Sequence, residues 1–141
     1  IVLLDLETSE QRVFHPSWNL WIDWRWSPDS ALLAYSDMDE NYNSEVRIEP
    51  VDKSFAPVNV SKHPDNDSSP RWSADGKILA FISDRINDEN DVCMVYLDKD
   101  VEALPDVELR KYYEDAIEAA TKREPSDAPA DQAHDSHADA Q

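Results

Sequence analysis

Three features of this sequence predict an all-β chain of repeated four-stranded antiparallel units, followed by one C-terminal α-helix and a disordered tail. First, Trp26-Ser27-Pro28-Asp29-Ser30-Ala31-Leu32-Leu33-Ala34-Tyr35-Ser36-Asp37 returns 46 positions later as Trp72-Ser73-Ala74-Asp75-Gly76-Lys77-Ile78-Leu79-Ala80-Phe81-Ile82-Ser83-Asp84. Second, the same register, without a gap, lays Glu45-Val46-Arg47-Ile48-Glu49-Pro50-Val51-Asp52-Lys53 over Asp91-Val92-Cys93-Met94-Val95-Tyr96-Leu97-Asp98-Lys99. A period of this size belongs to repeats of roughly 40 to 50 residues with about four short strands each, not to helical hairpins of roughly 33 to 34. Third, beyond Lys99 the apolar residues change to helical spacing.

In chain order, residues 1–6 read as a buried strand, 7–10 as a polar turn and 11–15 as a further strand, together the last two strands of a unit (residues 1–23) whose beginning is missing. The simplest reading is that the chain is a piece of a longer protein. The complete unit spans residues 24–69, with strands expected at 24–27, 31–36, 45–51 and 57–61. A second unit, residues 70–104, shows strands at 70–73, 77–83 and 91–97 and no evident fourth. Residues 77–82 are apolar on both alternating faces, as suits a sheet covered on both sides.

Ser73-Ala74-Asp75-Gly76-Lys77 is a turn, because an acidic side chain satisfies local donors and Gly76 takes positive φ freely. Ser30 stands at the place of Gly76 in the earlier copy, so a left-handed conformation there costs about 1 to 2 kcal/mol. Residues 105–123 form an amphipathic helix: Leu109, Tyr112, Tyr113, Ala116, Ile117 and Ala120 make one stripe, with Pro105 near its start and Pro125 beyond its end. Residues 124–141 contain no large apolar side chain and are expected to be a disordered acidic tail.

The unit resembles the TolB-type, WD-repeat-like β-propeller repeats. The resemblance is carried by Arg25-Trp26-Ser27-Pro28-Asp29 and Arg71-Trp72-Ser73-Ala74-Asp75, by Leu33-Ala34-Tyr35 and Leu79-Ala80-Phe81, and by Ser83-Asp84-Arg85. It covers residues 1 to about 99 and implies a partial β-propeller of four-stranded antiparallel blades. Residues 84 to about 122 add Asp91-Val92-Cys93-Met94-Val95-Tyr96-Leu97-Asp98-Lys99 and an acidic helix with Tyr112-Tyr113-Glu114. This stretch is similar to the junction after the amino-terminal propeller region of tricorn-like serine peptidases. That likeness implies a non-catalytic fragment acting in substrate gating or protein interaction for peptide degradation, with catalytic serine and histidine in a later domain. The alternative is a TolB-like propeller serving as a protein-binding module in the bacterial envelope. The first implies a cytoplasmic protein and the second a periplasmic one. The partners implied are the remaining blades, the downstream domains of the parent chain, and peptides or proteins.

The formal charge of −18, from 31 acidic against 13 basic residues, argues against nucleic acid, since phosphate binding needs clustered Lys and Arg. No apolar run approaches the roughly 20 residues of a membrane span, so no membrane insertion is expected. The single cysteine, Cys93, excludes an intrachain disulfide and, lying in an expected strand, reads as a small buried hydrophobe.

Candidate chemistry is sparse. Residues 37–43 space oxygen-bearing side chains at alternate positions, but a calcium loop of the EF-hand type needs Gly at Tyr42 and an acid at Ile48. This loop and its counterpart at 84–91 read as solvated hairpin loops. His15 and His63 precede the first strands of their units without a convincing companion, and no Gly-x-Ser-x-Gly elbow exists. No catalytic residue, cofactor or metal ligand is therefore assigned. Arg25 and Arg71, equivalent residues on the presumed innermost strands, are the one pair placed to line a channel and select anions such as a peptide carboxylate; the plainer reading pairs each with a nearby Asp.

Overall fold

The structure, a computed structural model, describes residues 1–121. It is mostly β, with three antiparallel sheets and two helices. Strands β1 (Val2–Leu4) and β2 (Gln11–Val13) form a hairpin. Strands β3 (Trp24–Trp26), β4 (Leu32–Met38), β5 (Ser44–Pro50) and β6 (Val58–Asn59) form a four-stranded meander in sequence order. Strands β7 (Asp67–Trp72), β8 (Ile78–Ile86) and β9 (Glu89–Tyr96) form a three-stranded one. The three sheets do not close on themselves. Helix α1 (Lys99–Glu102) and helix α2 (Asp106–Thr121) follow.

The repeat recurs in the hydrogen bonding. Ser27 Oγ donates to Asp29 Oδ1 at 2.6 Å and accepts from Leu32 N at 2.9 Å; Ser73 Oγ donates to Asp75 Oδ1 at 2.6 Å and accepts from Ile78 N at 3.0 Å. Ser30 has φ 61° and Gly76 has φ 75°, so the earlier copy holds a non-glycine residue in the left-handed region, as the alignment requires. Asp52 and Asp98, next to last in the aligned segments, each accept an amide two residues ahead through Oδ1. Asp5 does the same after β1.

Residues paired across antiparallel strands share a face, so register decides which side of each sheet a residue meets. On the four-stranded sheet, Leu33 and Tyr35 point one way, against Phe14, Ile1 and Leu3 of the β1–β2 hairpin. Ala34, Val46 and Ile48 point the other way and pack with Leu79 and Phe81 of β8, joined by Trp72, Cys93 and Val95. This sheet is therefore sandwiched, and five consecutive residues of β4 are buried. Cys93 sits half-buried at the edge of that packing.

Several expectations need correction. Residues 1–6 are not a buried strand: only Val2–Leu4 is strand, with Val2 and Leu4 exposed because just one face of the hairpin meets the next sheet. Residues 77–83 are covered on one face and only partly on the other: Ile78 is buried and Ala80 half-buried on the side that α2 lines, while Ile82 is exposed, since no sheet lies beyond it among the described residues. Strand β7 starts at Asp67, so the second unit begins before residue 70. A single helix was expected; α1 precedes it, nucleated by Asp98, whose side chain accepts from the Asp100 and Val101 amides while Val101 is buried. Helix α2 covers 106–121 of the helix expected over 105–123, whose last two residues lie outside the described ones; of its stripe, Ile117 is exposed. The expected disordered tail, 124–141, lies outside the described residues. No described helix is long and apolar enough to cross a membrane.

Candidate functional site

The two arginines singled out by the repeat do meet, on a residue the repeat did not reveal. Asp23 lies just before β3, with its carbonyl held by Ser36 N at 2.9 Å. Its Oδ1 accepts from Arg25 Nη1 at 2.7 Å, and its Oδ2 lies 3.5 Å from Arg71 Nη1. Arg71 also donates to the Pro70 carbonyl at 2.8 Å. One carboxylate thus stands between two guanidiniums, each about half exposed, leaving a net positive, solvated patch along the first strands of neighbouring sheets. Exposed ion pairs of this kind contribute about 0 to 1 kcal/mol, so the patch adds little to stability.

Backbone packing fixes the spacing of these two strands. Trp72 Nε1 donates to the Arg25 carbonyl at 3.1 Å, tying β7 to β3. Asp23 was legible in principle, since residues two apart in an extended segment share a side and Asp23 and Arg25 are two apart. The reach of Arg71 across to it was not.

A second polar cluster joins the β1–β2 hairpin to the four-stranded sheet. His15 Nε2 lies 2.7 Å from Asp37 Oδ2 and therefore carries the hydrogen, because a carboxylate only accepts. Ser17 Oγ donates to Asp37 Oδ1 at 2.8 Å. On the other side of the ring, the Tyr35 hydroxyl is 3.2 Å from Nδ1 and donates to Glu49 Oε2 at 3.0 Å, and Glu49 in turn pairs with Lys53. Burial, then the bond and charge of Glu49, push the Tyr35 hydroxyl well above the usual phenol range. Burial alone would raise Asp37, yet the bonds from His15, Ser17 and the Met38 amide outweigh it and hold the carboxyl below its ordinary value.

The expectation that His15 lacks a companion is thus overturned, by partners 20 or more residues away that only the folded topology brings in. The cluster is not a nucleophilic triad: the Ser17 hydroxyl is directed to the carboxylate rather than to the imidazole. Its geometry is that of a clasp between sheets.

The remaining candidates act locally. Asp39 Oδ1 accepts from the Asn41 and Asn43 amides, so its carboxylate organises the hairpin loop. His63 pairs with neighbouring Asp65 at 3.2 Å. Asp67 is fully buried, with Oδ1 on Arg85 at 3.0 Å and Oδ2 without a partner. Among the described residues no three His, Cys, Asp or Glu side chains converge as metal ligands. No protein-family model matches the chain, and no curated protein matches it.

Proposed function

We propose that this chain is a non-catalytic section of a β-propeller belonging to a tricorn-like serine peptidase, in which it admits or holds peptides for degradation performed elsewhere. The observation that carries the propeller part of the reading is the different fate of equivalent residues. Val46 and Ile48 are 0% and 6% exposed beneath the three-stranded sheet, whereas their mates 46 positions on, Val92 and Met94, are 73% and 54% exposed. A repeating wedge explains this: each sheet is a seat for the next, and the last one described is empty. The peptide-handling part rests on the resemblance at residues 84–122 and on Arg25 and Arg71, whose shared Asp23 leaves positive charge for a peptide carboxylate.

Two measurements test the reading. The chain should not turn over unstructured peptides, and turnover abolished by replacing a serine or histidine within it refutes the non-catalytic assignment. The isolated chain should self-associate through its uncovered faces, and a Val92→Glu, Met94→Glu variant should do so less. A sharp monomer with cooperative melting sinks the wedge reading. A TolB-like binding module in the bacterial envelope is the alternative; an intact reading frame with an upstream export signal, rather than a downstream peptidase domain, would decide for it.

A further inference from the structure

A second surface, whose lining includes neither Arg25 nor Arg71 although Arg71 borders the adjoining crevice, lies where the two repeat turns meet helix α2. The turns stand side by side, close enough that a Cβ built on Gly76 would sit 3.4 Å from Pro28 Cδ. Helix α2 is moored across them by two hydroxyls: Tyr112 donates to Asp75 Oδ2 at 2.5 Å, and Tyr113 meets the Tyr96 hydroxyl at 2.6 Å. Between turns and helix is a groove of about 1000 Å³, at the top of the range for small-molecule sites.

The floor of this groove is small and apolar: Pro28, Ala74, Leu104, Ala116 and Ala119. Its rim is acidic. Among the lining residues Asp29, Asp75, Glu108 and Asp115 stand with one cation, Lys111, and Lys77 lies near Asp75 outside the groove. Asp29 and Asp75 are fixed by their turns, and the hydroxyls and amides donated to them hold both carboxyls below the usual range even where burial opposes this. The groove thus offers shallow apolar contact inside a preorganised negative field, which selects positive charge and repels acidic chains, including copies of this one with its net charge of −18.

We propose that this groove docks a cationic, apolar-bearing peptide segment, with small aliphatic side chains on the alanine floor and Lys or Arg on the acidic rim. The proposal is independent of the peptidase reading, because it uses neither arginine and requires no further sheet.

The test is fluorescence anisotropy with the whole chain and three labelled peptides: one alternating Lys/Arg with Leu/Ala, one of equal charge with Ser in place of Leu/Ala, and one with Glu in place of Lys/Arg. Only the first should bind tightly, and more weakly as salt rises. The triple variant Asp29→Asn, Glu108→Gln, Asp115→Asn should weaken it about tenfold or more, as should Ala116→Trp, which fills the floor. A control removing equal charge at exposed Glu7, Glu10 and Glu40 should change affinity by less than about twofold. Equal losses from both triples would mean a diffuse acidic field and overturn the proposal. So would equal binding of the Ser peptide, of the Glu peptide, or a concentration-dependent dimer abolished by Ala116→Trp. Circular dichroism of each variant separates lost binding from lost fold.

Discussion

The four-stranded and three-stranded sheets are built on one sequence template and live in different surroundings. Leu33 and Leu79 are both fully buried, each pressed toward the preceding sheet. On the opposite faces the likeness ends. Ala34, Val46 and Ile48 lie in the central core, while Ala80, Val92 and Met94 meet only a crevice under α2 or solvent. The aligned apolar residues of this face are thus covered in one copy and, apart from buried Ile78, largely uncovered in the other. In stacked repeats each unit's stability depends on the neighbour that covers it, so equal residues can contribute unequally.

The largest expected contrast lies at those mates. Ile48→Ala should lower the unfolding free energy by about 2 to 5 kcal/mol, and Met94→Ala by less than about 1, read from urea unfolding curves. Equal losses would mean that something covers the outer face and would break the comparison.

A smaller contrast concerns the tryptophans. Trp72→Phe removes the indole bond to the Arg25 carbonyl and should cost about 1 to 2 kcal/mol, whereas Trp26, whose indole donates no such bond among the described residues, should cost less on the same change. Thermal melts of both variants give the ordering.

The turns provide a sharper test of equivalence. Ser30→Gly relieves a left-handed serine and should stabilise by about 1 kcal/mol, raising Tm by a few degrees. Gly76→Ala should destabilise by a similar amount, since its φ is positive and the new Cβ comes to 3.4 Å from Pro28. Opposite signs sharpen the match of the two positions; like signs break it.

The smallest effect is in pH. Asp75 is raised by burial but lowered more by its bonds from Ser73, Tyr112 and Lys77, so its folded value lies below the unfolded one. Its contribution is then complete above the unfolded value of about 3.9 and is lost as pH falls through the lower folded value. Asp75→Asn should reduce stability at neutral pH and flatten the acid limb of the stability curve. An unchanged limb would show that the bonds from Ser73, Tyr112 and the Lys77 amide together add nothing.

Much of the architecture was legible because period and turn chemistry are local. The Ser-x-Asp turns, the strand positions and the change to helical spacing follow from neighbours in sequence, and the antiparallel sheets and α2 agree with them. Exposure of Val2 and Ile82 was not legible, because apolar alternation states what a face requires and is silent on whether it is met. The short α1 was hidden by its length: four residues show no period, and Asp98 as cap was the one local sign. At the sites, the equivalence of Arg25 and Arg71 was plain, but their convergence on Asp23, and the clasp of His15 with Asp37, Tyr35 and Glu49, depend on how separate strands are brought together.

Strand β9 carries one more implication. In the four-stranded sheet the outer side of β5 is paired by β6, whereas no described strand pairs with the outer side of β9 over its eight residues. Such a margin is a template on which fibrils nucleate, and Glu89 and Asp91 stand along it as charged gatekeepers. Removing these guards with Glu89→Gln and Asp91→Asn should therefore hasten thioflavin-positive aggregation of this chain, with exposed Val92 at its seed.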